Sequence, residues 1–234
     1  MIYKLIFLVF GLITNKLYCQ EINGIELLNK SINFHDPMNN WDEFNDSFTV
    51  NMISPDKKIR ESLIEIDLTN ELFNSSVKKD QNKILTAINK GDCKIIFNDS
   101  ESFSKEDEIK HRLTCENAFK MRDYYTYLYG LPMKLKDPGA VIDSIVKRKE
   151  FKGKEYLVLK VDYEEPVGND TWYFYFDLLT YAMEVYQFYH DETQNDGEYI
   201  ILEDIEEVSE IKMPKIRSWF FNKDDKYLGK DILN

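Results

Sequence analysis

The order of apolar and polar residues predicts a short first helix and then a long run of strands. Within residues 21–34 the spacing is helical, and the resulting apolar stripe contains Ile22, Ile25, Leu27, Leu28 and Ile32. The helix should end before Pro37, because a proline disfavours helical geometry in the residue that precedes it.

The next segment alternates apolar and polar residues with period two. Residues 44–52 and 60–68 predict an antiparallel hairpin around Pro55, with one face exposed to water. Shorter strand-like runs at residues 72–77, 83–88 and 93–97 are typical of a meander.

A second helical region is predicted from Ser104, a candidate N-cap, to Tyr129, with a break near Thr114. After a loop at residues 130–139, strands are predicted at residues 155–163, 171–176, 181–189, 199–202 and 211–221. Roughly nine or ten strands with two helical regions indicate an antiparallel α+β domain. Without a Gly/Ser- or Pro-rich linker, residues 21–234 are expected to form a single domain.

The first 20 residues have the pattern of an export signal. Lys4 precedes an apolar run over residues 5–13, too short for a stable membrane-spanning helix. Cleavage is expected after Cys19 or Gln20. Two alternatives stay open: a buried element of the fold, and lipidation at Cys19, although the bulky Tyr18 precedes that cysteine. The expected location is the periplasm or the outside of the cell.

The charge argues against nucleic acid as a partner. The full chain has a net charge of -12, and removal of residues 1–20, which hold two lysines and no acid, leaves -14. Such a chain is repelled by phosphate backbones and by anionic lipid surfaces.

Two cysteines remain after cleavage of the signal, Cys93 and Cys115. An even number in an exported chain favours a disulfide, and two buried free thiols are the alternative. Neither cysteine has the spacing of a zinc ligand, so no metal and no cofactor are expected.

The three histidines give little support to catalysis. His35 and His190 are each followed by an acid, but adjacent residues of a strand point to opposite faces and rarely converge on one proton. We expect His35, His111 and His190 to lie apart, and the sequence contains no hydrolase or nucleotide-binding motif. A hydrolase that uses His190 or His35 with nearby acids remains the alternative function.

Aromatic residues are the informative feature, since the chain holds 15 Phe, 15 Tyr and 3 Trp. Strand geometry sends Trp172, Phe174 and Phe176 to one face and Tyr173 and Tyr175 to the other. The first three residues either fill a core or line an apolar pocket.

Four segments carry a resemblance to a known family: residues 127–139, 151–161, 170–177 and 180–186. They resemble an uncharacterised family of secreted bacterial proteins, which is itself similar in pattern to the outer-membrane lipoprotein carriers LolA and LolB. The resemblance implies a strongly curved, antiparallel sheet, an unclosed β-barrel, with helices over its concave face and a cavity for acyl chains. The negative charge departs from this pattern and argues against contact with anionic head groups.

The favoured function is therefore an exported binding protein, not an enzyme, with an apolar cavity for a lipid, an acyl chain or a lipoprotein. A ligand-free structural or interaction domain is the third hypothesis. The protein is expected to be a monomer with at most a transient partner in the cell envelope. The residues predicted to line the cavity are Trp172, Phe174, Phe176, Leu157, Leu159, Trp41 and Trp219.

Overall fold

The computed structural model describes residues 22–165 and 168–234. The predicted signal at residues 1–20, its cleavage site and the alternative lipidation at Cys19 lie outside the described residues. In the part of the chain that the structure describes, no helix has the length and apolar character needed to cross a membrane.

The described residues contain three α-helices: α1 (Gly24–His35), α2 (Lys105–His111) and α3 (Cys115–Tyr129). Short 3-10 turns occupy Asn40–Glu43, Met133–Lys136 and Glu192–Gln194. The first helix begins three residues later than predicted because the Asn23 side chain caps it, accepting a hydrogen bond from the Glu26 N–H at 3.0 Å.

Two caps divide the second helical region near Thr114, as predicted. The Ser104 hydroxyl accepts from the Asp107 N–H and starts α2, which ends where Arg112 adopts a left-handed conformation with φ of 53°. The Thr114 hydroxyl accepts from the Asn117 N–H and starts α3. The chain therefore turns between the two helices, and each helix can follow its own direction.

Thirteen strands are present among the described residues, more than the nine or ten predicted. They are β1 (Asn45–Ile53), β2 (Ile59–Asp67), β3 (Leu72–Lys79), β4 (Asn82–Asn89), β5 (Asp92–Phe97), β6 (Ala140–Ile142), β7 (Lys147–Phe151), β8 (Lys154–Tyr163), β9 (Thr171–Phe176), β10 (Met183–Tyr189), β11 (Glu198–Val208), β12 (Ile211–Phe221) and β13 (Tyr227–Leu233).

The three additional strands lack a clear alternation of apolar and polar residues. Strand β6 has only three residues, and β7 begins Lys-Arg-Lys-Glu, with charge on both faces. Strand β13 contains Gly229 and the charged pair Lys230 and Asp231, but tertiary pairing places it at the centre of the sheet, between β1 and β12.

All strands form one antiparallel sheet in the order β5-β4-β3-β2-β1-β13-β12-β11-β10-β9-β8-β6, with β7 beside β6 along the free edge of β8. Within the described residues β5 does not pair with β6 or β7, so the sheet is an unclosed barrel. The predicted fold class, α+β with a strongly curved antiparallel sheet under helices, is confirmed.

One face of this sheet, which we call the helix-covered face, packs against α1, α3 and the turn at Met133–Lys136. It carries the main core, whose fully buried members include Ile64, Leu159, Phe174, Phe176 and Ile200. The opposite face carries a smaller cluster of Tyr156, Val158, Tyr175 and Val185, with Tyr173 packed against it. The predicted division of the aromatic strand β9 between two faces is thus confirmed.

Candidate ligand cavity

A cavity of about 630 Å³ separates the first strands of the sheet from α2 and α3. Its floor is the helix-covered face of β3, β4 and β5, where Ser75, Val77, Ile84, Thr86 and Ile95 are cross-strand neighbours. Because side chains alternate between the two faces of a strand, these residues all point toward the helices. The volume lies within the roughly 300–1,000 Å³ typical of ligand pockets.

The roof of the cavity is formed by the end of α2 and one side of α3. It contains Leu113, Thr114, Asn117, Ala118, Met121 and Tyr125. Of these, Ala118 and Tyr125 are buried, whereas Met121 is partly exposed and has apolar surface free for a guest. Floor and roof together form a slot whose lining combines polar and basic side chains with the apolar ones of Val77, Ile84, Ile95, Leu113 and Met121.

Two other depressions flank the helices. A cavity of about 420 Å³ lies on the opposite side of α3, next to Arg122 and Tyr127. A wider cleft of about 900 Å³ beside α1 opens at the surface between Lys30 and Tyr181. Of these three, only the 630 Å³ cavity lies between strands β3–β5 and the helices α2 and α3.

A disulfide between Cys93 and Cys115 fixes the roof to the floor. Cys93 lies on β5 and Cys115 is the first residue of α3, and their Cα atoms are 5.9 Å apart. The bond therefore holds the start of α3 at the edge of the cavity and limits how far the roof can move.

Replacing both cysteines with serine is expected to lower the free energy of unfolding by roughly 3 kcal/mol. The disulfide closes a loop in the unfolded chain and restricts its entropy, and this restriction is lost in the double variant. The separation of 22 residues sets the loop length. Urea unfolding of the wild type and the double variant measures the difference. Equal unfolding midpoints would show that the bond contributes nothing to stability.

A row of charged residues runs beneath α3, from the cavity toward the centre of the sheet. In the strand register Arg60 lies opposite Met52, Met52 opposite Asp231, and Asp231 opposite Arg217. Arg217 is 1 % exposed, its Nη1 donates to the Pro214 carbonyl at 2.7 Å, and its guanidinium lies 3.9 Å from the centre of the Tyr129 ring.

Burial raises the pKa of the Asp231 carboxyl, although Arg217 and Arg60 act in the opposite direction. Several buried polar atoms of this region have no hydrogen-bond partner among the described residues: the Nε atoms of Arg60 and Arg217 and the hydroxyls of Ser62, Tyr129 and Tyr186. Such atoms are costly to bury unless something bonds them.

The seven residues predicted to line the cavity lie at the other end of the sheet or in its core. Phe174, Phe176 and Leu159 are fully buried, and Leu157 and Trp41 are nearly so. Trp172 and Trp219 are partly buried, and none of the seven lines the 630 Å³ cavity. Contact of these residues with a ligand therefore stays a prediction.

The histidines lie in three different surroundings. His35 is completely buried, its Nδ1 donates to the Lys212 carbonyl at 2.6 Å, and its Nε2 accepts the Met183 N–H at 3.0 Å. The His111 ring packs against Phe97 in a tilted arrangement, with ring centres 4.8 Å apart, beside the cavity.

His190 is exposed and pairs with Asp170 at 2.6 Å, which raises its pKa. Both ring nitrogens of His35 are engaged by the backbone, so His35 has none free for proton transfer. Within the described residues no group of three His, Cys, Asp or Glu side chains is arranged to hold a metal ion. Of the two histidines in the hydrolase hypothesis, His190 therefore has an acid partner, whereas His35 has no free ring nitrogen.

Comparison with known proteins identifies a family for the sequence and solved structures with a similar fold. The sequence matches a family of unknown function (DUF6503) over residues 4–233, and this match confirms the predicted resemblance to an uncharacterised family. A search of curated protein sequences finds no match.

Three solved structures have a similar fold. A DUF1329 family protein from Desulfovibrio piger is 8 % identical with a TM-score of 0.50, and the alignment covers 91 % of this chain and 92 % of that one. A LolA superfamily protein from Nitrosomonas europaea is 11 % identical (TM-score 0.47, coverage 91 % and 92 %). A putative outer membrane lipoprotein-sorting protein domain from Vibrio parahaemolyticus is 8 % identical (TM-score 0.48, coverage 90 % of each chain). At these identities the similarity concerns the fold alone.

Proposed function

The chain belongs to the family of unknown function DUF6503, and we propose that it is an exported protein that binds an acyl chain or a similar apolar ligand between the sheet and α2–α3. The observation that carries this proposal is the 630 Å³ cavity, whose floor presents three apolar side chains. The ligand would lie along Val77, Ile84 and Ile95.

The exposure of the floor supports this proposal. Val77, Ile84 and Ile95 are only partly buried, although they lie on the face that carries the main core. Each buried methylene group of a bound chain contributes about 0.8 kcal/mol, and covering these side chains adds to that gain. Binding of an acyl chain would therefore bury apolar surface on both the chain and the floor of the cavity.

The disulfide supports export. Disulfides form and persist in oxidising compartments, such as the periplasm or the outside of the cell, and are rare in the cytoplasm. A bond between Cys93 and Cys115 therefore agrees with the signal predicted at residues 1–20.

Extraction of the purified protein with organic solvent tests the proposal. We expect mass spectrometry of the extract to find an amphiphile in a fixed molar ratio to the protein. After extraction the protein should bind an apolar fluorescent probe, and an added fatty acid should displace that probe. An empty extract together with no probe binding would contradict a carrier role and would favour the interaction-domain hypothesis.

A further inference from the structure

The charge of the cavity is opposite to that of the protein. Although the whole chain has a net charge of -12, the lining of the cavity contains four basic side chains and one acidic one. With His111 neutral, this gives the lining a net charge of +3; the charged residues are Arg60, Lys79, Lys110, Arg112 and Asp80. The cavity is therefore a positive site in an acidic molecule, and such local fields attract anions.

The basic groups at the mouth form no ion pairs in the part of the chain that the structure describes. Lys79, Lys110 and Arg112 are exposed and take part in no ion pair within residues 22–165 and 168–234. By contrast, Lys78, the neighbour of Lys79 on the opposite face of β3, pairs with Glu61 at 2.8 Å. These three exposed cations can therefore interact with an anionic ligand.

Arg60 is the cation that lies deepest. It is partly buried on β2, and its Nε is inaccessible and has no hydrogen-bond partner among the described residues. A guanidinium binds a carboxylate or a phosphate through two parallel hydrogen bonds, which are stronger away from water.

We infer that the ligand of this cavity is an anionic amphiphile, whose carboxylate or phosphate head is bound by Arg60 while its chain lies on the apolar floor. Lys79, Lys110 and Arg112 at the mouth attract the head from solution. This inference rests on the proposed function, because it assigns the chemistry of the head group to a ligand whose chain occupies the same cavity.

Binding of three ligands with the same chain tests the inference: hexadecanoate, hexadecyl phosphate and uncharged hexadecanol. Displacement of an apolar fluorescent probe gives the affinities for the wild type, Arg60→Met, Arg60→Lys and Arg148→Met. Arg148 is an exposed arginine outside the cavity lining, so its replacement changes the net charge equally and serves as the matched control.

The wild type should bind at least one acidic ligand about tenfold or more tightly than the alcohol, as expected for a hydrogen bond to a charged group. Arg60→Met should remove this preference and leave the affinity for hexadecanol within about twofold of the wild-type value. Arg60→Lys should retain part of the preference, and Arg148→Met should retain all of it. Preference for one acid over the other identifies the head group.

Equal affinity of the wild type for all three ligands would overturn the inference and leave the proposed function intact. An equal loss for all three in Arg60→Met would overturn it too, because Arg60 would then act only on the fold. If no ligand binds to the wild type, the proposed function fails together with the inference.

Discussion

Replacement of Thr86 with tryptophan is expected to reduce the affinity for an acyl chain by about 100-fold. Thr86 lies at the centre of the floor, opposite Ser75 on β3 and Ile95 on β5. A tryptophan there would displace roughly four methylene groups of the chain, which at about 0.8 kcal/mol each amounts to roughly 3 kcal/mol. Aromatic residues are favourable in strands, so the fold should tolerate the change.

The matched control for this experiment is Ala87→Trp. Ala87 is the next residue of β4, is exposed and points to the opposite face of the sheet. Ala87→Trp adds the same side chain to the same strand but outside the cavity, so this variant should bind the acyl chain as the wild type does. If both variants bind equally, the ligand does not occupy this cavity.

The second large effect is a loss of stability in acid, caused by His35. Burial lowers the pKa of His35 from 6.5 to about 4. The charges of Lys212 and Arg217 act in the same direction, and the hydrogen bond to the Lys212 carbonyl opposes them. In the unfolded chain this histidine binds a proton below about pH 6.5. In the folded protein it does so only near pH 4.

Between these pH values the unfolded state binds more protons than the folded state, so stability falls as the pH is lowered from about 6.5 to about 4. The difference between the two pKa values corresponds to roughly 3 kcal/mol of unfolding free energy. Urea unfolding at several pH values measures this loss, and His35→Gln should show less of it.

His190→Gln is the control for the acid effect, because His190 is exposed and Asp170 raises its pKa rather than lowering it. This variant should retain the decrease in stability between pH 6.5 and pH 4. If His35→Gln loses stability in acid as steeply as the wild type does, another group causes the effect.

The parts of the fold that the sequence predicted are those with a clean alternation of side chains. Strands β8 and β9 alternate between a core and a second face, and Phe174 and Leu159 pair directly on the core side. Strand β13 escaped prediction because its place between β1 and β12 depends on partners far away in sequence, and Asp231 interrupts its apolar pattern.

The position of the cavity could not be read from aromatic content. Aromatic side chains fill space: Trp172 contacts Phe174, Tyr186 and Phe188 at ring separations between 4.9 and 6.1 Å. The cavity lies instead where the inward residues are short, namely Ser75, Val77 and Thr86. A comparison of side-chain volumes at the inward positions of each strand would have indicated this end of the sheet.

The basic lining was also missed, because the charge of the whole chain is negative. Arg60, Lys79 and Lys110 are far apart in sequence, and only the pairing of β2 with β3 and the position of α2 bring them together. A net charge describes how a molecule behaves at long range, and it does not determine the charge of a cavity.

The most direct test of this account is the position of a bound chain, measured by methyl NMR with a stearic acid that carries a nitroxide near the end of its chain. The nitroxide should broaden the methyl signals of Val77, Ile84 and Ile95 and leave those of Leu157 and Leu159, at the far end of the sheet, unchanged. Broadening of Leu157 and Leu159 instead, with the floor of β3–β5 unaffected, would contradict the account and place the ligand among the aromatic residues of β9.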